Sequence, residues 1–440
     1  MILNLVDGHI IDTKSCDAVL ENLEQRIVST LKKGRLDTET VITACSQLVG
    51  HLDDAIYLQT MADLGIDESL GRQYLDEARL MFGETALRCR LQTELGADDH
   101  QTRRYMPLYQ DKPVTEQLAP LGVLLHVAAG NAEGLPAFSV LEGLLTGNIN
   151  ILKLPAAEGG ISVRILLELI KVAPSLAEYI YVFDYSSRDI QHIGKLVAAA
   201  DAVVVWGGAE AVTALRRLVG PNTRLIEWGH KVSFAYVTEP GLAENLVENR
   251  RRDLANLACH MVETGQLLCS SCQGIYLDTD DMDVLYRFCR DFLPILEATV
   301  EEKGQAARLG IGIETQIALQ VYNEELESQY QDSRVFKGKH CSLIAYADHD
   351  LKPGIQFGNA WVKRLPKAEL LATLRPYKNF LQTAGLICGE SERSELTGLL
   401  WQTGLVRVCL PDRMSATYCG APHDGEYPLR KYMKIVSSEL

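Results

Sequence analysis

The sequence predicts an α/β protein built on a doubly wound parallel sheet of the Rossmann type, followed by a second α/β domain. Between residues 120 and 237, strand and helix patterns alternate, and the strand patterns are short apolar runs typical of buried parallel strands. Mixed helix and strand patterns continue from residue 242 to the end of the chain. The 440 residues, 47% hydrophobic and 23% charged, are sufficient for two or three hydrophobic cores.

The order of the elements follows from hydrophobic periodicity. Residues from about 14 to 108 have helical character, as in the segments that begin at Leu36 and Ser69. In the middle stretch, strands are predicted at 122–127, 150–154, 180–183, 202–206, 224–227 and 232–236, and helices at 136–146, 160–172, 189–199 and 209–218. Beyond it, helices are predicted at 248–263, 281–299 and 394–402, and strands at 274–277, 342–346 and 405–409. These patterns divide the chain into four parts. Residues 1–115 are a helical segment that packs on the first α/β domain, residues 116–237 are the first α/β domain, residues 238–410 are the second α/β domain, and residues 411–440 are a C-terminal segment.

Composition restricts the environment and the partners. The net charge of −15 argues against a nucleic-acid surface, although a local basic pocket for phosphates is compatible with it. The eleven cysteines and an N-terminus without a basic region and long apolar core predict reduced thiols in the cytoplasm. No uninterrupted apolar run reaches the ~20 residues of a membrane span.

The most informative segment is residues 264–275, which places Cys269 in a small, polar loop before an apolar strand. A thiolate there is a candidate nucleophile for an acyl or aldehyde carbon, because backbone N–H groups of such a loop lower a thiol pKa and hold an oxyanion. Other interpretations are a small buried cysteine, or a Cys269/Cys272 redox pair or half zinc site. Metal binding would need a second cysteine pair, which the sequence lacks, so no metal is expected.

Three turns at predicted strand ends carry residues suited to an anionic ligand. Gly130 and Asn131 follow the first strand, Lys153 ends the second, and Gly207 and Gly208 open a helix after a later strand. Carboxyl ends of parallel strands bind ligands, and helix N-termini favour phosphates. Each turn alone is more often structural, but their joint occurrence indicates a binding site. The Gly-x-Gly-x-x-Gly fingerprint is absent.

Five motifs occur in order along the chain: Gly130-Asn131, Gly147-Asn148-Ile-Asn-Ile-Leu-Lys153, Trp206-Gly207-Gly208, Cys269-Ser270-Ser271 and His423-Asp424-Gly425-Glu426-Tyr427-Pro428-Leu429-Arg430. This ordered set resembles the fatty-acyl-CoA reductase (LuxC) family of the aldehyde dehydrogenase superfamily. The resemblance extends from about Pro120 to the C-terminus, and it implies an aldehyde dehydrogenase-like fold with an NAD(P)-binding domain and a catalytic cysteine domain. The first hundred residues resemble the family only in being helical.

The resemblance assigns catalytic roles. Cys269 corresponds to the nucleophile that accepts the acyl group, and Asn131 to the amide that holds the oxyanion together with the Cys269 N–H. Glu227, in Glu227-Trp-Gly-His-Lys231, matches the glutamate that activates water in aldehyde-oxidising members. The loop Gly-Gln-Leu-Leu-Cys is one residue longer than the superfamily's Gly-Gln-x-Cys.

The resemblance also implies a nicotinamide cofactor bound by Gly130, Lys153, Ala156, Gly207 and Gly208. Lys153 corresponds to the lysine that binds the adenosine ribose or its 2′-phosphate. Ala156 stands where NAD-preferring relatives have a glutamate that repels this phosphate. NADPH is therefore expected, and NADH is possible because Glu133 and Glu158 lie nearby in sequence.

Two C-terminal features allow less specific expectations. His423 and Asp424 either orient substrate and exchange protons, or form a structural turn, since His-Asp-Gly is a good turn sequence. The segment from Tyr432 resembles the strand that pairs across subunits in the superfamily, which implies a homo-oligomer, a dimer or a tetramer.

The expected function is NADPH-dependent reduction of an acyl thioester, acyl-CoA or an acyl carrier, to the aldehyde through a cysteine acyl-enzyme. An acyl-transferring partner protein is possible. One alternative is an NAD(P)-dependent dehydrogenase that oxidises an aldehyde to the acid or acyl-CoA. The other is a non-catalytic binding protein that retains the fold.

Overall fold

The computed structural model describes residues 3–52, 54–63, 68–96, 102–128, 134–155, 159–243, 247–305, 309–330, 332–416 and 418–440. The chain forms two compact units, one of Met1–Gly229 with Cys419–Leu440 and the other of His230–Tyr418. The predicted division into four parts remains a prediction.

The elements are numbered along the chain. The α-helices are α1 (Thr13–Glu21), α2 (Leu23–Leu31), α3 (Thr38–His51), α4 (Asp54–Asp63), α5 (Glu68–Phe82), α6 (Glu84–Leu95), α7 (Leu135–Leu145), α8 (Ile161–Val172), α9 (Ile190–Ala198), α10 (Ala209–Leu218), α11 (Glu239–Ala243), α12 (Val247–Glu263), α13 (Met282–Glu302), α14 (Ile311–Glu327), α15 (Leu370–Leu374), α16 (Arg393–Gln402) and α17 (Pro428–Lys431). The strands are β1 (Asn4–Val6), β2 (His9–Ile11), β3 (Arg103–Tyr105), β4 (Val114–Pro120), β5 (Val123–Val127), β6 (Ile149–Lys153), β7 (Ile180–Phe183), β8 (Ala202–Trp206), β9 (Arg224–Trp228), β10 (Val232–Val237), β11 (Cys272–Leu277), β12 (Ser333–Lys337), β13 (Ser342–Tyr346), β14 (Asn359–Arg364), β15 (Leu381–Ile387), β16 (Arg407–Cys409) and β17 (Met433–Ser438).

The first unit contains a seven-stranded sheet of order β2-β1-β7-β6-β5-β8-β9. Strands β5 to β9 are parallel, and the hairpin of β1 and β2 extends the β7 edge in the antiparallel sense. The strand order reverses between β5 and β8, which is the switch point where such sheets bind ligands at their carboxyl ends. The predicted doubly wound parallel sheet is confirmed.

Helices α3 to α6 join the hydrophobic core of this unit together with α7, α8 and the sheet. Helix α3 begins after Asp37, whose carboxylate accepts a hydrogen bond from the Thr40 N–H at 3.1 Å. Helix α7 is buried over most of its length because the sheet covers it on one side and α3 and α8 on others.

The second unit contains a seven-stranded sheet of order β12-β13-β14-β11-β10-β15-β16, parallel except for β12. The sequence analysis placed the strand near 232–236 in the first domain, and this placement was wrong. Strand β10 lies between β11 and β15 of the second sheet. The link from β9 is far too short for the crossover of a dozen or more residues that parallel neighbours require.

A third, three-stranded sheet has the order β17-β4-β3 and belongs to the first unit. Strand β17, expected from the resemblance to pair across subunits, pairs antiparallel with β4 of its own chain from Met433 opposite Pro120 to Ser438 opposite Thr115. The homo-oligomer remains a prediction. Among the described helices, none combines the length and hydropathy needed to cross a membrane.

Candidate active site

The candidate nucleophile lies in the loop between α12 and β11, and its side chain is exposed. The carbonyl of Cys269 accepts a hydrogen bond from the Ser233 hydroxyl at 2.6 Å. The same hydroxyl accepts a bond from the Thr383 N–H at 3.1 Å, which connects the loop to both β10 and β15. The backbone at Cys269 is therefore held in place, while the residue itself is exposed.

Gln266 fixes the shape of this loop, although the sequence analysis did not include it among the site residues. Its side chain is buried and its φ is +60°, in the left-handed region that few non-glycine residues adopt. The side-chain amide donates to the Cys272 carbonyl at 2.9 Å and accepts from the Gly358 N–H at 2.9 Å. The Gly-Gln motif before Cys269 could have indicated the role of Gln266, but the sequence analysis used this motif only for its spacing to the cysteine.

Cys272 has the opposite environment from Cys269. It is wholly buried, its thiol donates to the Gly274 carbonyl at 3.2 Å, and burial raises its pKa to about 12. Its backbone N–H donates to Nε2 of His260 at 3.2 Å. Burial lowers the pKa of His260 to about 4, so this imidazole is neutral near pH 7 and serves as the acceptor. A thiolate at Cys272 is strongly disfavoured.

Two large apolar side chains flank the exposed thiol in sequence. Leu267 is 55% exposed and Leu268 is 49% exposed, while the Leu268 N–H donates to the Ser271 hydroxyl at 3.1 Å. A loop that presents leucines beside a nucleophile favours an apolar substrate group, since buried apolar surface stabilises binding.

Lys153 ends β6 at the carboxyl edge of the first sheet and is only 3% exposed. Its ammonium donates to the Ser187 hydroxyl at 2.7 Å, and burial lowers its pKa, an effect that the Asp184 charge opposes. Lysine is rarely buried without a paired anion. The environment of Lys153 is therefore compatible with a site in which the ammonium binds a phosphate or the hydroxyls of a ribose.

The turn between β8 and α10 also fits an anionic ligand. Gly208 is the N-cap of α10, no side chain caps that helix, and Glu210 is the acidic residue of its first turn. The φ of Gly208 is −70°, and a Cβ there would meet no atom within 4 Å. Neither the backbone nor the packing requires glycine at this position, and the space beside it is open. The neighbouring Gly207 N–H donates to the Trp228 carbonyl at 3.2 Å.

Three predicted site residues, Gly130, Asn131 and Ala156, lie outside the described residues. Their assignments remain predictions. Among the described side chains, no cluster of three or more His, Cys, Asp or Glu could hold a metal ion.

Glu227 lies on β9, and both of its carboxylate oxygens bind the Arg216 guanidinium of α10, Oε2 at 2.5 Å. Its side chain retains 25% exposure and that of Arg216 62%. In this arrangement both carboxylate oxygens are engaged by the guanidinium.

His423 and Asp424 occupy a tight turn in the first unit. Asp424 has φ +49° and Gly425 φ +80°, and reciprocal backbone bonds of 2.9 Å join His423 to Glu426. Positive φ at both central residues defines a type I′ turn, for which Asp-Gly is favoured. The His423 ring packs on the Trp206 and Trp228 rings. The turn accounts for the His-Asp-Gly sequence as a structural element. The expectation that His423 and Asp424 orient substrate or exchange protons remains a prediction.

The fold of the two units is that of aldehyde dehydrogenases. The first unit has a doubly wound sheet with a cation and a glycine turn at its carboxyl edge, and the second is an α/β unit with an exposed loop cysteine. Solved structures agree. An NAD-dependent aldehyde dehydrogenase from Sinorhizobium meliloti superposes with a TM-score of 0.73 at 13% identity, covering 100% of this chain and 94% of that one. Lactaldehyde dehydrogenase from Escherichia coli gives a TM-score of 0.71 at 12% identity, with coverages of 100% and 99%. These similarities establish the fold.

The chain belongs to the acyl-CoA reductase (LuxC) family, whose model matches residues 35–435. The resemblance inferred from the motifs is confirmed, and the match includes most of the N-terminal helices, which the motifs did not reach. The family consists of oxidoreductases that act on acyl groups.

Similar curated proteins are named long-chain acyl-protein thioester reductases. That of Photobacterium phosphoreum is 23% identical over 375 residues, which are 82% of this chain and 70% of the relative. That of Vibrio harveyi is 21% identical over 370 residues, with coverages of 82% and 72%. That of Aliivibrio fischeri is 23% identical over 329 residues, with coverages of 73% and 64%, so the chain spans somewhat under two thirds of this relative's length.

Proposed function

We propose that this protein reduces an acyl thioester to the aldehyde, with Cys269 as the nucleophile and NADPH as the reductant. The observation that supports it most is the exposed Cys269 thiol, in a loop fixed by Gln266 and flanked by exposed leucines, in a member of the acyl-CoA reductase family. The names of the curated relatives support a protein-bound acyl group as substrate, so an acyl-transferring partner is part of the proposal.

The chain's own residues perform the acyl transfer. The Cys269 thiolate attacks the thioester carbonyl, a new C–S bond forms, and the carbonyl oxygen becomes an oxyanion. The Cys269 N–H and the Asn131 amide hold this charge; removing one such donor typically lowers turnover ~10²–10³-fold. Collapse breaks the bond to the carrier sulfur, which departs as a thiol after protonation, and leaves the acyl-enzyme.

The residues at the carboxyl edge of the first sheet fit the nicotinamide cofactor that fold and family suggest. Lys153 would bind the ribose or its 2′-phosphate, and the Gly207-Gly208 turn with the N-terminus of α10 would bind the pyrophosphate. When bound, the reduced cofactor supplies the hydride that brings the acyl carbon to the aldehyde level. The same two donors then stabilise the oxyanion until Cys269 departs as thiolate.

The test is oxidation of NADPH by the purified protein against a panel of acyl-CoAs and acyl-carrier proteins of varied chain length. Thioester-dependent oxidation with stoichiometric aldehyde is expected. Turnover of aldehyde with NAD(P)⁺ and no thioester reduction would identify an aldehyde-oxidising enzyme instead. A protein without either activity, and without enhanced reactivity of Cys269 toward iodoacetamide at neutral pH, would be a binding protein.

The cofactor preference gives a charge-specific prediction. Ala156→Glu places a carboxylate in the sequence position that repels the 2′-phosphate in NAD-preferring relatives. We expect the Kd for NADPH to rise ~10-fold or more and the Kd for NADH to change little. The expected loss for NADPH corresponds to a repulsion of ~1–3 kcal/mol between like charges in a partly desolvated site. Ala156→Gln, of equal size without the charge, is the control. Equal losses for both cofactors in Ala156→Glu would contradict the assignment of NADPH.

Glu227 provides a second prediction. If hydride reaches the acyl-enzyme before water does, Glu227→Gln leaves NADPH-dependent reduction within about threefold of wild type and lowers acyl-enzyme hydrolysis, to which a general base contributes ~10²–10⁴-fold. The ion pair with Arg216 supports this outcome, because it occupies the carboxylate. Arg216→Met, which removes the paired cation, should raise hydrolysis. Single-turnover release of fatty acid measures hydrolysis of the acyl-enzyme, and release of aldehyde measures its reduction. Complete loss of reduction in Glu227→Gln would show that this carboxylate moves a proton during reduction.

A further inference from the structure

A series of hydrogen bonds between side chains runs across the first sheet and ends beside the glycine turn. It starts at Asn150 of β6 and passes through His126 of β5 and Ser139 of α7 to Trp206, the last residue of β8. Asn150, His126 and Ser139 are completely buried, whereas Trp206 is partly exposed. Asn150 and Trp206 belong to two of the sequence motifs, yet neither has a role in the acyl transfer or the cofactor contacts proposed above.

The donors and acceptors of this series are fixed along its whole length. Asn150 Nδ2 donates to the Asn148 carbonyl at 2.8 Å, so Asn150 Oδ1 is the acceptor for His126 Nε2 at 3.0 Å. Burial lowers the pKa of His126 to about 4, so the imidazole is neutral near pH 7 and its Nδ1 accepts from the Ser139 hydroxyl at 2.7 Å. The Ser139 oxygen accepts from the Trp206 Nε1–H at 3.1 Å. Each polar atom in the series therefore has a partner, as a rigid buried network requires.

Helix α7 is packed closely enough for these bonds to form because it carries a glycine. A Cβ at Gly143 would lie 1.8 Å from Asn150 Oδ1 and 3.1 Å from the Leu124 side chain. Ser139 precedes Gly143 by four residues and lies on the same helix face. Glycine inside a helix is destabilising relative to alanine, so the close approach of α7 to the sheet explains its presence here.

The series holds the Trp206 indole next to the turn proposed to bind the pyrophosphate. Trp206 directly precedes Gly207 and Gly208, and its ring also packs on the rings of Trp228 and His423, with centroids 5.5 Å and 5.0 Å away. Glycines have the widest choice of backbone conformations, so the direction of the N–H groups in a Gly-Gly turn depends on the residues that anchor it. The indole hydrogen bond anchors this turn to α7.

We propose that Ser139 and His126 are positioning residues for the dinucleotide, which act through Trp206 on the Gly207-Gly208 turn. The inference rests on the proposed function for the location of the cofactor. A turn that is already held in its binding conformation loses less conformational entropy when the ligand binds. NADH and NADPH share the pyrophosphate, so loss of the anchor should weaken both cofactors equally, unlike a change at the 2′-phosphate, which concerns NADPH alone.

A double-mutant cycle tests the anchor. Ser139→Ala removes the acceptor of the indole N–H, and Trp206→Phe removes the donor while keeping an aromatic ring. We expect each change to raise the Kd for NADPH and the Kd for NADH by about three- to tenfold, as for the loss of one hydrogen bond. The double variant should stay within about twofold of the weaker single variant, because both changes remove the same bond. Isothermal titration calorimetry measures all four proteins.

Two further measurements separate positioning from a general loss of structure. Labelling of Cys269 by acyl-CoA in the absence of cofactor should proceed in Ser139→Ala at the wild-type rate, since acyl transfer needs no dinucleotide. Thr30→Val is the matched control, because it removes a buried hydroxyl of the same unit that donates outside the series, to the Arg26 carbonyl at 3.3 Å. Both Kd values should be unchanged in this control.

The outcomes separate this inference from the proposed function. If Ser139→Ala leaves both Kd values unchanged, or if its effect multiplies with that of Trp206→Phe, the anchor does not act on the turn, while the proposed function is unaffected. Equal losses of cofactor binding and of Cys269 labelling would show general damage and also overturn the inference. If the cycle behaves as expected but no thioester is reduced, the positioning residues stand and the reductase assignment falls. A wild-type protein that binds neither cofactor would overturn both.

Discussion

Replacement of Cys269 by alanine is expected to abolish both acyl-enzyme formation and aldehyde production, whereas Cys272→Ala should retain both. Removal of a catalytic nucleophile commonly lowers turnover by ~10³-fold or more. Cys269 is exposed, while Cys272 is buried with a pKa raised by burial to about 12. Near neutral pH, Cys272 has almost no thiolate with which to attack a thioester.

Labelling with radioactive acyl-CoA in the absence of NADPH distinguishes the two cysteines. Wild type and Cys272→Ala should retain the label after denaturation and release it with hydroxylamine, as expected of a thioester. Cys269→Ala should remain unlabelled and inactive. Label retained on Cys269→Ala would contradict both the position of the nucleophile and the mechanism built on it. Cys272→Ala also tests the loop, because it removes the bond from the Cys272 thiol to the Gly274 carbonyl without changing Cys269.

The sequence could predict elements whose burial is uniform. Strands β7 and β8 consist only of aliphatic and aromatic residues and were predicted with their observed bounds. Strands β14 and β15 were missed because polar residues interrupt their apolar runs. Lys363 in β14 is buried and donates to Asp348 and to the Asp350 carbonyl, and in β15 the Thr383 backbone N–H donates to the Ser233 hydroxyl. Such partners come from distant parts of the chain, so periodicity cannot reveal them.

The sequence likewise predicted the local features of the site but not its long-range contacts. The sequence indicated Cys269 and Lys153 because a small polar loop and a cation at a strand end are local features. It could not show that Arg216 binds Glu227, or that His260 accepts a bond from the loop backbone.

The largest expected loss of stability comes from Arg90→Met. The Arg90 guanidinium of α6 contacts Glu142 of α7 at 2.6 Å and Glu94 at 2.9 Å, and both carboxylates are almost fully buried. The other Glu94 oxygen accepts from the Leu429 N–H at 2.8 Å, and the Tyr432 hydroxyl donates to Glu142 at 3.2 Å. One cation therefore bridges two buried carboxylates that connect N-terminal, central and C-terminal segments of the first unit.

Removing that cation leaves buried charge without compensation, which typically costs about 3–5 kcal/mol. Burial already raises the pKa of Glu94 against the opposing charge of Arg90, and without Arg90 the pKa of Glu94 should rise further. A carboxyl whose pKa is higher in the folded state than in the unfolded state stabilises the fold at low pH and loses this contribution as pH rises. The penalty of Arg90→Met should therefore be larger at pH 8 than at pH 5. Urea denaturation at both pH values, followed by tryptophan fluorescence, measures this difference.

Two further variants make the Arg90 prediction specific to burial. Arg88→Met is the matched control, because Arg88 lies on the same helix and pairs with Glu39 and Glu84 at the surface. Exposed pairs contribute ~0–1 kcal/mol, so its loss should be small and nearly independent of pH. Arg90→Met combined with Glu94→Gln and Glu142→Gln should recover most of the stability, since the uncompensated charges are then gone. If Arg90→Met is no less stable than Arg88→Met, or if the glutamine changes restore nothing, the cluster is not an electrostatic link between these segments, and the C-terminal segment is held by the packing of Leu429 and Tyr432 alone.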